Sequence, residues 1–271
     1  MTCIMAETLF TVFLRSLLAG GLAGCMVDVA LFPLDSLKTR LQAFKKGQKV
    51  GYSNPYAGLL SAMVASFPCA ATFWATYCTV KWLLGSIGLE ASPPLLHLLS
   101  AASGSLAASL IRAPFEVIKQ QMQLGFYKSM QEGFSSVLQK QGLSGLYTGL
   151  QSLILREIPF DVTQFLVYEW LKYSDYGGVQ QSLASTLLSG ALAGGCAAFI
   201  TTPIDVVKTR LMTQSKDVYK TVFQSLQLIY KTEGLAGLWS GWGIRILYTT
   251  IGGMIFFGTF EVLSPYLTVY L

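Results

Sequence analysis

Three stretches of the chain repeat one arrangement of proline and charge. They read PLDSLKTRLQ from Pro33, PFEVIKQQMQ from Pro114 and PIDVVKTRLM from Pro203, and the prolines lie 81 and 89 residues apart. Each stretch places an acid two residues, and a base five residues, beyond a proline that ends an apolar run. The chemistry open to such a set is reversible charge pairing. A single charge near lipid is expensive. Six charges around one axis can neutralise one another as Asp35–Lys119, Glu116–Lys208 and Asp205–Lys38, and the closed ring would shut a central path. Prolines that kink the three helices let their ends converge there.

A weaker echo stands elsewhere, as YCTVK from Tyr77, YEWLK from Tyr168 and FEVLS from Phe260. It can form Lys81–Glu169 and Lys172–Glu261, whereas Cys78 faces Ser264 and forms nothing. Two rings that cannot both be closed while a route stays open are the parts of an alternating-access device. A third group of charges lies inside apolar runs but outside both rings: Asp28, Arg156, Glu157 and Asp161, with Gln164 beside them. Intramembrane charge of this kind marks substrate contact. Arg156 offers a two-pronged partner for a carboxylate. Glu157 beside it could hold an ammonium, so the pair suits an amino-acid head. Asp28 and Asp161 leave negative charge for a further cation. Phe67 and Phe73, with Trp74, could receive a planar ring by stacking, although aromatic residues here also suit plain helix packing. Arg112 and Arg245 fall nearer the span ends and read as interfacial.

The elements that must position these residues are apolar helices. The 271 residues are 52% hydrophobic and only 12% charged, against about 25% charged in a soluble domain. Mean hydropathy is +0.51. A helical span needs roughly 20 predominantly apolar residues, and six stretches approach that: 9–34, 59–80, 91–111, 150–167, 182–202 and 246–260. The apolar signal is too even for a membrane barrel, whose strands alternate. The expected fold is an all-α membrane protein, with six transmembrane helices in three pseudo-symmetric two-helix repeats over 1–90, 91–177 and 178–271. Small-residue stretches precede each proline, with GxxxG spacing at Gly20/Gly24 and Gly190/Gly194, which lets helix backbones approach closely in lipid. QGLSGLYTG from Gln141 and EGLAGLWSG from Glu233 recur, with YAG at Tyr56 as the remnant in the first repeat. The preceding stretches, 130–140 and 218–231, read as short interfacial helices.

Thirteen of the 19 basic residues fall between odd and even helices. By the positive-inside rule these loops face inward and both termini outward. Net charge +5 favours anionic lipid at the inner face. No basic, serine-rich transit segment precedes the first span, so targeting information is expected within the chain. Five cysteines without CxxC spacing and a single histidine point to neither a disulfide framework nor a metal site. His97 reads as a solvated or interfacial residue. With no phosphate-binding glycine loop or nucleophile–base pair, an enzyme is excluded. No catalytic residues, cofactor or nucleic-acid partner are expected.

The triple PxDxxKxR, PxExxKxQ, PxDxxKxR pattern, the aromatic-x-Gly endings and the YxxxK-like motifs resemble the mitochondrial carrier family, over essentially the whole chain. The resemblance implies a monomeric six-helix bundle in the mitochondrial inner membrane, with termini toward the intermembrane space and cardiolipin among its lipids. It implies exchange of small metabolites. By that resemblance Gln42 and Gln123 brace the inner, matrix-side gate and Met212 cannot. Tyr77 and Tyr168 brace the outer, cytoplasmic-side gate, and Phe260 lacks the hydroxyl. Gln121 in place of a base, Cys78 in place of an acid and Ser264 in place of a base depart from the pattern and imply a weak outer gate.

An Arg-Glu pair at 156–157 resembles that of family members carrying amino-acid-type substrates. An amino-acid head, an extra positive charge and a flat ring together describe S-adenosylmethionine. FPLDSLKTRLQ, LIRAPFEVIKQ, LREIPF and QFLVYEWLK, with an acid five residues before the first proline, resemble carriers of that molecule, which exchange it for S-adenosylhomocysteine. The charges alone also permit a basic amino acid such as ornithine or lysine. A non-transporting membrane adaptor could dispense with gate residues, and the complete inner set argues against it. A plastid membrane is an alternative location for such a fold.

Overall fold

A computed structural model of the chain describes residues 2–43, 54–86, 93–175, 183–214, 218–219 and 221–270. Those residues form eight helices and no strand: α1 (Thr2–Ala43), α2 (Leu59–Ser86), α3 (Pro93–Gln123), α4 (Met130–Leu146), α5 (Leu150–Asp175), α6 (Leu183–Thr213), α7 (Val222–Leu238) and α8 (Trp242–Tyr270). This is an all-α membrane protein. Segments of α1, α2, α3 and α6 are long and apolar enough to cross a membrane by themselves. α5 is not among them, with Arg156, Glu157 and Asp161 along its length. It holds its place by packing between α3 and α6.

The six long helices close into a ring, α1–α2–α3–α5–α6–α8, with α8 packed back on α1. The proline-motif helices α1, α3 and α6 also touch one another. Small residues allow this closeness. Ala23, Ala113, Ala193, Ala197 and Ala198 are completely or almost completely buried.

Each proline motif is helical, and the helices that carry the motifs continue through their prolines. α1, α3 and α6 run through Pro33, Pro114 and Pro203 to Ala43, Gln123 and Thr213. A proline removes one backbone donor, and the helix resumes because the residues beyond it are bonded across to neighbours. The interfacial helices also run further than expected, α4 to Leu146 and α7 to Leu238, each bending at a glycine, Gly142 and Gly234. Ser129 and Thr221 cap their starts by accepting from Glu132 N and Gln224 N, as short polar side chains do at an N-cap. α4 packs on α3, and α7 on α6.

Candidate functional site

Beyond each proline, acid and base lie three residues apart and so on adjoining helix faces. In a ring of converging helices the acid of one motif meets the base of the next. Lys119 Nζ lies 2.8 Å from Asp35 Oδ2, Lys208 Nζ 2.9 Å from Glu116 Oε1, and Lys38 Nζ 2.7 Å from Asp205 Oδ2. The three pairs join α1 to α3, α3 to α6 and α6 to α1, in the direction read from the sequence.

Two of the pairs are braced by glutamine. Gln123 Nε2 donates to Asp35 Oδ2 at 2.9 Å, and Gln42 Nε2 to Asp205 Oδ2 at 3.0 Å. Met212, at the third equivalent position, is buried in an apolar cluster with Ala113, Val117 and Leu153. Its missing brace is supplied from elsewhere: Gln120 Nε2, one turn beyond Glu116 on α3, donates to Glu116 Oε1 at 2.9 Å. Sequence reasoning missed Gln120, although i,i+4 spacing was the available signal.

A second closed set lies below the ion pairs. Arg40 Nε donates to the Gln123 carbonyl at 3.0 Å, Gln121 Nε2 to the Met212 carbonyl at 2.9 Å, and Arg210 Nε to the Gln42 carbonyl at 3.0 Å. The last residue of each motif thus caps the final turn of the next helix, where carbonyls lack intrahelical partners. Gln121, a departure from the basic pattern, makes the same bond as the two arginines. Arg210 also holds Glu233 in a two-pronged pair at 2.6 and 2.8 Å, tying α7 to α6.

The charges above this closure divide into two groups. Ser66 on α2 donates to Asp28 Oδ2 at 3.4 Å, and Ser105 on α3 to Asp161 Oδ2 at 3.5 Å. Among the described residues neither acid forms an ion pair. α1 and α5, which carry them, stand opposite each other in the ring, and the serines lie on the two helices between. The other group spans α3, α5, α6 and α8. Arg112 Nη1 and Arg156 Nη2 both reach Glu157 Oε1, at 3.0 and 2.5 Å. Arg156 Nε lies 3.8 Å from Asp205 Oδ1 and has no hydrogen-bond partner. Arg245 is 2% exposed, with Nη1 3.2 Å from Asp205 Oδ2. Counting Lys38, four cations there share two carboxylates, Glu157 and Asp205.

This arrangement changes two sequence readings. Arg112 and Arg245 are not interfacial: the first pairs with Glu157, and the second is buried against Asp205. Glu157, bonded to two arginines, is not the open ammonium acceptor that its position suggested. The aromatic pair also differs from a stacking platform. A Cβ at Gly21 would stand 2.7 Å from the Phe67 ring, and one at Gly104 3.0 Å from the Phe73 ring. Both rings therefore lie over glycines of neighbouring helices, and Phe73 packs beside Ala65, Cys69 and Ala108. Gln164 lies at the α5–α6 seam, its Nε2 3.8 Å from where a Cβ of Gly194 would stand.

At the opposite end, the Tyr77 hydroxyl meets His97 Nδ1 at 2.6 Å, and Lys81 Nζ lies 5.8 Å from the Tyr77 ring centre. Tyr168 is partly buried. Glu169, Lys172 and Glu261 lie outside the residues whose side chains the structure describes.

The family model for mitochondrial carrier proteins matches residues 11–87, 90–174 and 179–271. The chain is 42% identical over 256 residues to the mitochondrial S-adenosylmethionine carrier protein of Mus musculus, covering 92% of this chain and 93% of that protein. It is 43% identical over 254 residues to the protein of the same name in Xenopus laevis, covering 91% and 94%. A probable S-adenosylmethionine carrier 2, chloroplastic, of Arabidopsis thaliana is 38% identical over 253 residues, covering 92% of this chain and 73% of that protein.

Proposed function

Because the chain belongs to the mitochondrial carrier family, we propose that it exchanges S-adenosylmethionine for S-adenosylhomocysteine across the mitochondrial inner membrane by alternating access. The observation that carries this reading is the separation of charge in the bundle. Among the described residues Asp28 and Asp161 stand without basic partners, while Arg156 lies within a group rich in cations, its buried Nε–H without a hydrogen-bond partner. S-adenosylmethionine carries the complementary set: a carboxylate, an ammonium and a sulfonium.

Arg156 takes the carboxylate, giving up its contact with Glu157, which Arg112 still holds. Asp161, five residues along the same helix, takes the ammonium. Asp28, on the opposite side of the ring, faces the sulfonium. S-adenosylhomocysteine lacks the sulfonium charge, so its affinity depends less on Asp28. The three ion pairs form the inner gate, closed in this conformation. Phe67 and Phe73 serve helix packing. The substrates' names in the three relatives agree with this reading.

The test is uptake of labelled S-adenosylmethionine into liposomes holding the purified protein, with S-adenosylhomocysteine or nothing inside. Uptake that requires internal substrate supports the exchanger. Uptake without it makes the protein a uniporter. Uptake of labelled ornithine or lysine, with none of S-adenosylmethionine, moves the substrate to basic amino acids.

A further inference from the structure

The three inner pairs look alike in sequence but differ in what each carboxylate keeps when its lysine leaves. Asp35 is held by Lys119 and Gln123, both on α3. If α1 parts from α3, it loses both. Glu116 is held by Lys208 on α6 and by Gln120 on its own helix. If α3 parts from α6, it keeps one neutral amide. Asp205 is held by Lys38 and Gln42 on α1 and by Arg245 on α8, with Arg156 of α5 more distant at 3.8 Å from its other oxygen. Arg245 is itself fastened to α6, donating to Thr201 Oγ1 at 2.7 Å and to the Thr201 carbonyl at 3.1 Å.

Arg245 has no counterpart in the other repeats. It stands four residues after Gly241, one of the three glycines with positive φ that directly precede α2, α5 and α8; four residues after Gly58 and Gly149 stand Ala62 and Leu153. Among the described residues no arginine pairs with Asp35 or Glu116. A bare carboxylate in a buried setting is strongly unfavourable. Among the described residues only Asp205 keeps a cation from outside α1: Arg245 of α8 at 3.2 Å, with Arg156 of α5 further off.

We propose that Arg245 is a positioning residue that keeps Asp205 neutralised while α1 separates from α6, so that this seam of the inner gate opens more easily than the other two. The inference rests on the alternating-access reading above, and it adds an order to the opening. The α1–α6 seam yields first, the α3–α6 seam second and the α1–α3 seam last. A purely static staple would stabilise open and closed states alike and would impose no order.

The test compares melting temperatures of the purified full chain carrying Lys38→Gln, Lys208→Gln or Lys119→Gln. We expect Lys38→Gln to lower melting by less than about 2 °C, and Lys119→Gln and Lys208→Gln, which each leave a carboxylate with one neutral amide, by about 5 °C or more. With Arg245→Gln added, the loss from Lys38→Gln should grow to that of Lys119→Gln, a non-additive result. Equal losses at all three lysines, or strict additivity, would overturn the proposal. If Arg245→Gln does not fold, Arg245→Lys replaces it. With the charge kept, Lys38→Gln should remain mild, and a loss as large as that of Lys119→Gln would overturn the proposal.

In liposomes, Arg245→Gln should cut the maximal exchange rate about tenfold while half-saturation changes less than about twofold. An unchanged maximal rate from folded protein would mark a staple. Should the unaltered protein fail to exchange S-adenosylmethionine, the substrate reading falls, while the melting comparison still decides the role of Arg245.

Discussion

Gln42 on α1 donates to the same Asp205 oxygen that receives Lys38, so one carboxylate oxygen on α6 anchors two side chains of α1 at 3.0 and 2.7 Å. Gln42 is fully buried, and its Oε1 accepts from Thr209 at 3.0 Å. Hydrogen bonds to charged groups contribute about 1.5–3 kcal/mol. Gln42→Met would copy the third repeat, where Met212 stands. Asp205 keeps Lys38 and Arg245 in that variant, but α1 loses two buried hydrogen bonds to α6, the one to Asp205 and the one from Thr209. Melting should fall by several degrees in Gln42→Met, and an unchanged melting curve would show that the brace contributes nothing.

Asp28 has one weak partner, Ser66 at 3.4 Å. Asp28→Asn should therefore leave the fold intact, with melting shifted by about 1 °C or less. Uptake of S-adenosylmethionine should fall at least about tenfold, the equivalent of 1.4 kcal/mol. Exchange of internal S-adenosylhomocysteine against itself should fall less. Normal uptake by this variant would remove Asp28 from the substrate site.

Arg156 can be removed without leaving Glu157 unpaired, because Arg112 holds the same oxygen at 3.0 Å. Arg156→Ala should fold, and its half-saturation for S-adenosylmethionine should rise about tenfold or more. Arg156→Lys keeps the charge but loses the planar fork, so it should restore only part of the affinity. Equal transport by all three proteins would show that the carboxylate binds elsewhere.

Gly58 and Gly142 both have positive φ, 92° and 67°, but their surroundings differ. A Cβ at Gly58 would stand 2.9 Å from the Lys119 carbonyl, whereas at Gly142 nothing lies within 4 Å. Backbone strain alone costs about 1–2 kcal/mol in this region. Gly142→Ala should cost about that much in melting experiments. Gly58→Ala should cost clearly more, because it also drives α2 from α3. Equal losses would mean that α2 and α3 need not approach so closely.

The helical bundle and the inner pairs were legible because the motif occurs three times. Once three prolines are placed around an axis, each acid has two candidate lysines and one direction satisfies both rings best. Repetition was also why Arg245 escaped notice. It has no echo at Ala62 or Leu153, and its place near the start of an apolar run suggested an interfacial residue. The bonds from Arg40, Gln121 and Arg210 end on backbone carbonyls, which residue types do not advertise. Arg112 reaches Glu157 from another helix, so the occupation of that carboxylate emerged only from tertiary structure. The aromatic residues were ambiguous because the same ring can stack on a ligand or cover a glycine, and here both cover glycines.

The three carbonyl bonds below the ion pairs form a cycle: α1 caps α3, α3 caps α6, and α6 caps α1. In a cycle no member is last, so no helix can swing away without taking a bond from both neighbours. Opening any one seam therefore breaks a carbonyl bond as well as an ion pair, so even the seam that yields first does not gape on its own. On the proposed reading of an exchanger in a membrane that stores energy as a proton gradient, this cycle is insulation: it separates passage of the cargo from leakage of ions.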